Sequence, residues 1–381
     1  MRNVDVAVIG AGPAGSATAI ALVERGYEVV LIDKQPFPRE KLCGDFVNPI
    51  NRPILRRLGV NDELRARQHA SIGSFRITSE SGASAEAPLA GAREGATGLG
   101  VARALLDDVL VRRSAVAGAT MRLNNRVETL TRTGRGWQFK IGAENWLAKI
   151  LIGADGRNSW VAEQLGLSER SSTRARSVGF QARLKSSQAV PGSVEIHLFR
   201  GGYAGLVGLG GGEINLCLAL DRTMLPRGAA GEFILEECLP RNPYLKNVLQ
   251  GMTEISPFRS AYPVYFSRRR SYGDRVLLVG DAARVSEPVT GEGIYCAMRS
   301  GLLAAEVVGE ALVANELSAK FLHRYERRCQ GAFRRRMTLN SLMRFAVYRP
   351  ALMDPLVRLF SRRRGLLDSL VGLTCAPEPL G

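Results

Sequence analysis

The chain has 381 residues, enough for two or three domains at roughly 100–200 residues each. Its 45% hydrophobic and 23% charged residues are those of an ordinary globular protein, and no apolar run is long enough to span a bilayer. The net charge of +16 is large, but no nucleic-acid-binding motif accompanies it, so no nucleic-acid partner is expected. The cysteines (Cys43, Cys217, Cys238, Cys296, Cys329 and Cys375) are dispersed and form no CxxC pair, which argues against a zinc site or an iron–sulfur cluster. No metal is expected. Met1 leads directly into an apolar strand, which leaves no room for a secretory leader and points to a cytoplasmic chain with reduced thiols.

The first predicted element is a buried strand, Val4–Ile9. It runs into Gly10-x-Gly12-x-x-Gly15 and then a helix. Gly10 permits the turn, Gly12 lets the backbone approach a pyrophosphate, and Gly15 lets helix and strand pack closely. The helix N-terminus adds N–H donors and a partial positive charge. A second strand, Glu28–Ile32, ends at Asp33, eighteen residues after Gly15, where an acid takes a ribose hydroxyl. Together these predict a dinucleotide site, with NAD and FAD fitting equally well. A loop, Gln35–Asn51, follows, then helical stretches at Pro53–Leu58 and Asp62–Gln68. Residues 72–100 carry short alternating strands such as Ser74–Thr78, and Ala102–Ala117 reads as an amphipathic helix. Strands are predicted at Thr120–Val127, Trp137–Ile141 and Trp146–Ile152, the last ending in Gly153-Ala154-Asp155-Gly156. Residues 177–222 read as one face of an antiparallel sheet with glycine turns. A helical stretch at Gly231–Cys238 precedes a cofactor-type strand, Arg275–Val279, with Gly280-Asp281 directly after it. A long helix of small residues covers Gly293–Ala314, and the remainder is helical and basic.

Three separated motifs, at 10–15, 153–156 and 277–283, therefore converge on one cofactor. Here the chain resembles the FAD-dependent family of aromatic hydroxylases, flavin halogenases and geranylgeranyl reductases, over about residues 3–315. The resemblance implies an α/β fold: a discontinuous Rossmann-like FAD-binding domain (1–70, 98–170 and 266–316), an inserted antiparallel-sheet substrate domain (71–97 and 171–265) and a basic helical C-terminal segment (317–381). It implies that Gly10, Gly12, Pro13, Ala14 and Gly15 hold the FAD pyrophosphate, and that Asp33, with Lys34 beside it, holds the adenosine ribose. Asp155-Gly156 would lie near the pyrophosphate, and Gly280-Asp281 would place a carboxylate on the ribityl chain. Arg103 matches the arginine on the helix that crosses the FAD, and Arg39 is expected near it. The segment Pro288 to Gly301, with Gly291, Gly293 and Ile294, looks like the flavin-ring loop of the reductase branch. Hydroxylases usually carry Gln where Glu292 stands. The Trp-x-Trp-x-Ile-Pro motif of halogenases is absent, since Trp137, Trp146 and Trp160 stand apart. Lys41-Leu42-Cys43-Gly44-Asp45 also resembles the reductase branch. The aromatic Tyr-x-Trp-x-Phe-Pro strand of prenyl reductases is replaced here by Gly202-Tyr203-Ala204-Gly205-Leu206-Val207-Gly208.

These features lead to an FAD-dependent oxidoreductase with NAD(P)H as a transient electron donor. The first expectation is a monooxygenase that hydroxylates a mainly apolar, aromatic or polyketide-like substrate through a flavin C4a-hydroperoxide. The alternatives are a geranylgeranyl reductase-like enzyme acting on carbon–carbon double bonds, a flavoprotein whose substrate is carried by an acidic protein, and a non-enzymatic redox sensor or electron relay. Cys43, Tyr203 and His197 are the candidate catalytic side chains; each also reads as core packing. Residues 320–364 hold thirteen Lys/Arg against Glu326 and Asp354, interleaved with apolar runs. That pattern fits contact with the inner membrane face or an acidic protein, and equally a solvated helix face.

Overall fold

The computed structural model describes residues 1–375 apart from 91–96, 168–176, 188–191, 227, 229 and 267. Val6, Ala7, Val8 and Ile9 are all buried, so the strand Arg2–Ile9 has apolar neighbours on both faces. Such a strand belongs in the middle of a parallel sheet covered on both sides. It pairs in parallel with Val29–Asp33 on one side and Glu144–Gly153 on the other. Thr120–Leu123 extends the sheet beyond Val29–Asp33, and Val276–Leu278 extends it beyond Glu144–Gly153. In register, Ile9 lies opposite Gly153, and Gly153 opposite Leu278. The glycine turns after residues 9, 153 and 278 therefore leave one carboxyl edge of one sheet, the place where open α/β sheets bind ligands.

Thr120–Val127 was expected as one strand, but Asn124 adopts φ +56°, which no strand tolerates. The chain turns there, and Val127–Thr133 starts an antiparallel meander with Gly136–Ile141 and Glu144–Gly153. Trp137 and Trp146 are buried in this meander, with Trp160 packed against the same cluster.

The second sheet has the order Met252–Ile255, Ser177–Ser186, Glu213–Asp221, Gly202–Gly210, Ser193–Phe199, Ser74–Thr78, Ser84–Pro88. Its pairs are antiparallel except Ser193–Phe199 with Ser74–Thr78. Alternation sends Phe180, Leu184, Leu216 and Leu218 to one face, under Ile234, Leu245 and Val248. Ile77, Ile196, Leu198 and Tyr203 go to the other face, under the C-terminal helices.

Those helices are Ala319–Val347, Pro350–Arg362 and Arg364–Cys375. Met353, Val357 and Phe360 form the buried stripe of the second, and Leu367, Val371 and Cys375 that of the third. The spacing of three and four residues is that of one helical face. The basic C-terminus is thus a cover for the second sheet on its inner side.

Candidate active site

The glycine turn is fixed by contact as well as by conformation. Gly10 has φ +106°, and a Cβ there would stand 2.3 Å from the Ala154 carbonyl oxygen. A Cβ on Gly15 would stand 1.8 Å from the Gly10 carbonyl oxygen. Gly12 is different: a Cβ there would meet only the Arg39 guanidinium, at 3.6 Å. The space above Gly12 is open to a cavity that Pro13 and Ala14 also line. The helix Pro13–Val23 has no acidic residue in its first turn, so its positive end is not neutralised from within.

Asp33 ends the strand Val29–Asp33. Its Oδ2 accepts from the Ala11 N–H at 2.9 Å and its Oδ1 from the Gln35 N–H at 3.0 Å, which ties the acid to the glycine turn. Lys34 is exposed and is not among the cavity-lining residues. Arg39 lies 3.5 Å from Asp33 and 3.8 Å from Asp107, and its buried Nε has no hydrogen-bond partner among the described residues. Arg103, the first residue of the helix Arg103–Ala117, is clamped by Asp107 through two 2.9 Å bonds and lines the cavity. Lys41 reaches in beside Gly156, with its Nζ 3.6 Å from where a Cβ would stand. Burial pushes its ammonium below the ordinary range, against the pull of Asp281. An orphaned buried Arg39 nitrogen, a desolvated lysine and a glycine with open space fit a diphosphate.

Asp155 departs from the expectation. Its Oδ1 accepts from the Ser159 hydroxyl at 2.5 Å and its Oδ2 from the Val161 N–H at 3.0 Å. The carboxylate caps the short helix Trp160–Gln164, and burial raises its pKa. Gly156, at φ +83°, is what this turn offers to the cavity. Gly280, at φ +58°, packs so closely that a Cβ would stand 2.8 Å from that of Ala14. Asp281 follows in a single 3-10 turn, Gly280–Ala282, and lines the cavity.

Pro288–Thr290 forms another 3-10 turn that Gly291 ends at φ +64°. The 21-residue helix Gly293–Val313 then begins, and Pro288, Gly291, Gly293 and Ile294 all line the cavity. Its first N–H groups have no partner within the helix. Glu292, between the two glycines, turns away: it is buried and takes Arg336 at 2.5 Å. Asn340, one turn further along Ala319–Val347, donates to the Glu287 carbonyl at 2.8 Å and to Thr290 at 3.0 Å, and accepts from the Glu287 N–H. A C-terminal helix thus grips this loop from behind.

The Cys43 turn is held by the second sheet. Gln181 and Asn215 donate to the Cys43 carbonyl at 2.9 and 3.0 Å, and the Cys217 thiol at 2.8 Å. Asp45 is fully buried, accepts from the Arg103 N–H at 3.1 Å and pairs with Arg183. Burial outweighs the Arg183 charge and pushes its carboxyl up to about 6. Cys43 and Arg103 both line the cavity. Tyr203 also lines it, but its hydroxyl donates to Glu287 at 2.6 Å, and Tyr348 reaches the same oxygen at 3.3 Å. Burial holds the Tyr203 hydroxyl well above its ordinary range.

His197 is not in the site. Strand alternation puts Ile196 on the cavity face and His197 on the other, where it is fully buried. Its Nδ1 meets the Thr78 hydroxyl at 2.8 Å, its Nε2 lies 3.1 Å from Glu195, and its ring stacks on Tyr244. Sequence reasoning missed Lys41, Asp45, Glu287 and the grip of Arg336 and Asn340. The gripping residues of the second sheet carried a signal: Gln181 and Arg183, then Asn215 and Cys217, are polar at period two inside apolar strands. In register, Gln181 lies opposite Cys217 and Arg183 opposite Asn215.

Known proteins are similar to this chain over most of its length. The menaquinone reductase of Mycolicibacterium smegmatis is 31% identical over 335 residues, covering 83% of this chain and 78% of that one. The digeranylgeranylglycerophospholipid reductase 2 of Methanopyrus kandleri is 29% identical over 344 residues, covering 86% and 83%. A flavin-dependent brominase has the same fold, with TM-score 0.82 at 20% identity, covering 98% of this chain and 94% of that one. The family model described as FAD binding domain matches residues 3–339, through all three glycine turns and into the helix that grips the loop. This chain belongs to the FAD binding domain family.

Proposed function

We propose that this FAD-dependent oxidoreductase reduces carbon–carbon double bonds in a long, apolar, prenyl-type substrate. The observation that carries the reading is the cavity beyond Gly291–Ile294. Phe75, Val194 and Ile196 from the sheet and Met343, Leu370 and Val371 from the C-terminal helices wall it with apolar surface. Of the three candidate catalytic side chains, His197 faces elsewhere and the Tyr203 hydroxyl is committed to Glu287, which leaves the Cys43 thiol. The similarity to a menaquinone reductase and a digeranylgeranylglycerophospholipid reductase supports the same class of substrate.

In this reading Gly12, Pro13, Ala14, Lys41 and Arg39 hold the FAD diphosphate, and Asp33 the ribose. Asp281 takes the ribityl chain, and the N–H groups opening the helix Gly293–Val313 take the flavin ring. Reduced FAD supplies a hydride, and NAD(P)H, docking transiently, is the proposed source of electrons. The Cys43 thiol gives the proton that completes the new C–H bonds and is reprotonated from solvent. Gln181, Asn215 and Cys217 fix the turn that carries that thiol. The apolar walls align the chain and keep water from the reacting carbons.

The test is an anaerobic incubation of the reduced holoprotein with a prenylated quinone, followed by mass analysis. The expected product, once its ring has been reoxidised to the quinone, keeps two added hydrogens in the prenyl chain. Cys43→Ser should keep FAD and lose roughly a hundredfold in rate, the scale of one positioned proton donor. A product that gains an oxygen atom in air, with none formed without air, would replace this reading with the hydroxylation expected from the resemblance.

A further inference from the structure

The outer side of the C-terminal helices does not look like a surface made for water. Of the ten large apolar side chains exposed among the described residues, six lie between Leu342 and Leu373: Leu342, Phe345, Leu352, Leu359, Leu366 and Leu373. They are not strays from a buried stripe. Pro350–Arg362 buries Met353, Val357 and Phe360, yet shows Leu352 and Leu359 outward. Arg364–Cys375 buries Leu367, Val371 and Cys375, yet shows Leu366 and Leu373. Each helix is therefore apolar on a second face that nothing among the described residues covers. The same stretch holds six arginines against Asp354 and Asp368, and Arg349, Arg362, Arg363 and Arg364 are all exposed. Among the described residues no helix is long and apolar enough to cross a membrane. A short helix with leucines outward and arginines around them lies in the interfacial plane.

We propose that Leu342–Leu373 docks on an anionic lipid bilayer and that the substrate passes from the bilayer into the cavity along the last helix. An acidic protein would need an apolar patch matched to all six leucine and phenylalanine side chains as well as carboxylates for the arginines; an anionic bilayer supplies both along its whole surface. The route follows from helix spacing. Leu366, Leu370 and Leu373 are four and three residues apart, hence on one face. Leu366 and Leu373 are exposed, whereas Leu370 is half-buried and lines the cavity. One apolar stripe thus leads from the outer surface to the inner wall. The route rests on the proposed apolar substrate; the docking does not.

Sedimentation of the full-length holoprotein with vesicles tests the docking without any turnover. Binding is expected to vesicles of equal phosphatidylcholine and phosphatidylglycerol, and to be far weaker with phosphatidylcholine alone. Substituting Arg362, Arg363 and Arg364 together by Gln should weaken binding roughly a hundredfold, from the known contribution of each basic residue near an anionic surface. The triple variant Leu359→Asp, Leu366→Asp, Leu373→Asp should fail to sediment while keeping its flavin absorbance, which reports an intact fold. Failure of the native protein to bind the anionic vesicles, or unchanged binding by the leucine variant, would overturn the docking. For the route, the leucine variant should lose turnover of a vesicle-embedded prenylated quinone but keep turnover of a short-chain, water-soluble one. Equal loss on both would overturn the route, and no turnover of either by the native protein would sink the reductase reading while leaving the docking in place.

Discussion

Asp45 carries the local logic of the site in one side chain. It adopts φ +51°, lies fully buried, and joins the Cys43 turn to Arg103 and to Arg183 of the second sheet. Its pKa rises from 3.8 to about 6 on folding, so the folded protein binds the proton more tightly than the unfolded chain. The stability this group contributes is complete below the unfolded value and is lost as pH rises through about 6. A shift of this size corresponds to about 3 kcal/mol at most. Asp45→Asn should therefore gain stability relative to the native protein across that window, by up to a few kcal/mol in urea titrations. A difference that stays constant with pH would contradict the assignment. At this scale the sequence was legible where the backbone itself is constrained. Gly10 and Gly15 are required by contacts within a few residues and across one strand, and the pattern announces them. Asp155 and His197 were not legible. Whether an acid after a strand faces a ligand or caps the next helix depends on one rotamer. Which face of a strand a histidine takes depends on pairing register.

Among the elements, the helix Ala319–Val347 has two tasks. Its Leu322 and Phe333 pack with Tyr295 in the cofactor-side core, and it holds the loop Glu287–Gly293 through Arg336 and Asn340. Arg334-Arg335-Arg336 reads in sequence as one basic run, but each residue turns about 100° from the last. Arg334 and Arg335 are exposed and Arg336 is buried. The inward face was discernible from Phe333, Arg336 and Asn340, three and four residues apart; their partner, forty-four residues upstream at Glu292, was not. Arg336→Met should cost roughly 3–5 kcal/mol, since it strips a buried carboxylate of its cation. Adding Glu292→Gln should restore much of that loss. Chemical denaturation of the two variants checks the order, and a double variant no more stable than Arg336→Met alone would rule out the pair as the anchor.

For the whole molecule, the cavity is the seam between a parallel sheet, an antiparallel sheet and the C-terminal helices. The first wall is legible as three glycine turns, the second as runs of alternating strands. The third is legible as basic helices interleaved with apolar runs, but not which of those apolar residues form the buried stripe, because a stripe needs just one residue in three or four. Ending the chain at Val347 would expose the partners of Met353, Val357, Phe360, Leu367 and Val371, each worth about 1.5–3 kcal/mol when buried. The truncated protein should accumulate as aggregate, as judged by sedimentation after expression. A monomeric, FAD-loaded product would mean that these helices are dispensable to the fold.

The order of strands in the first sheet also bears on how the chain is made. Arg2–Ile9 is completed first but needs Glu144–Gly153 as a neighbour, and that strand needs Val276–Leu278. At a ribosome adding roughly 5–20 residues per second, the strand Arg2–Ile9 waits on the order of ten seconds for that partner, Glu144–Gly153. Through that interval its unpaired edge is the kind of surface that draws other nascent chains. The three glycine turns reach one edge of one sheet only once Val276–Leu278 has been made, so the cradle for the nucleotide is the last part of that sheet to be finished.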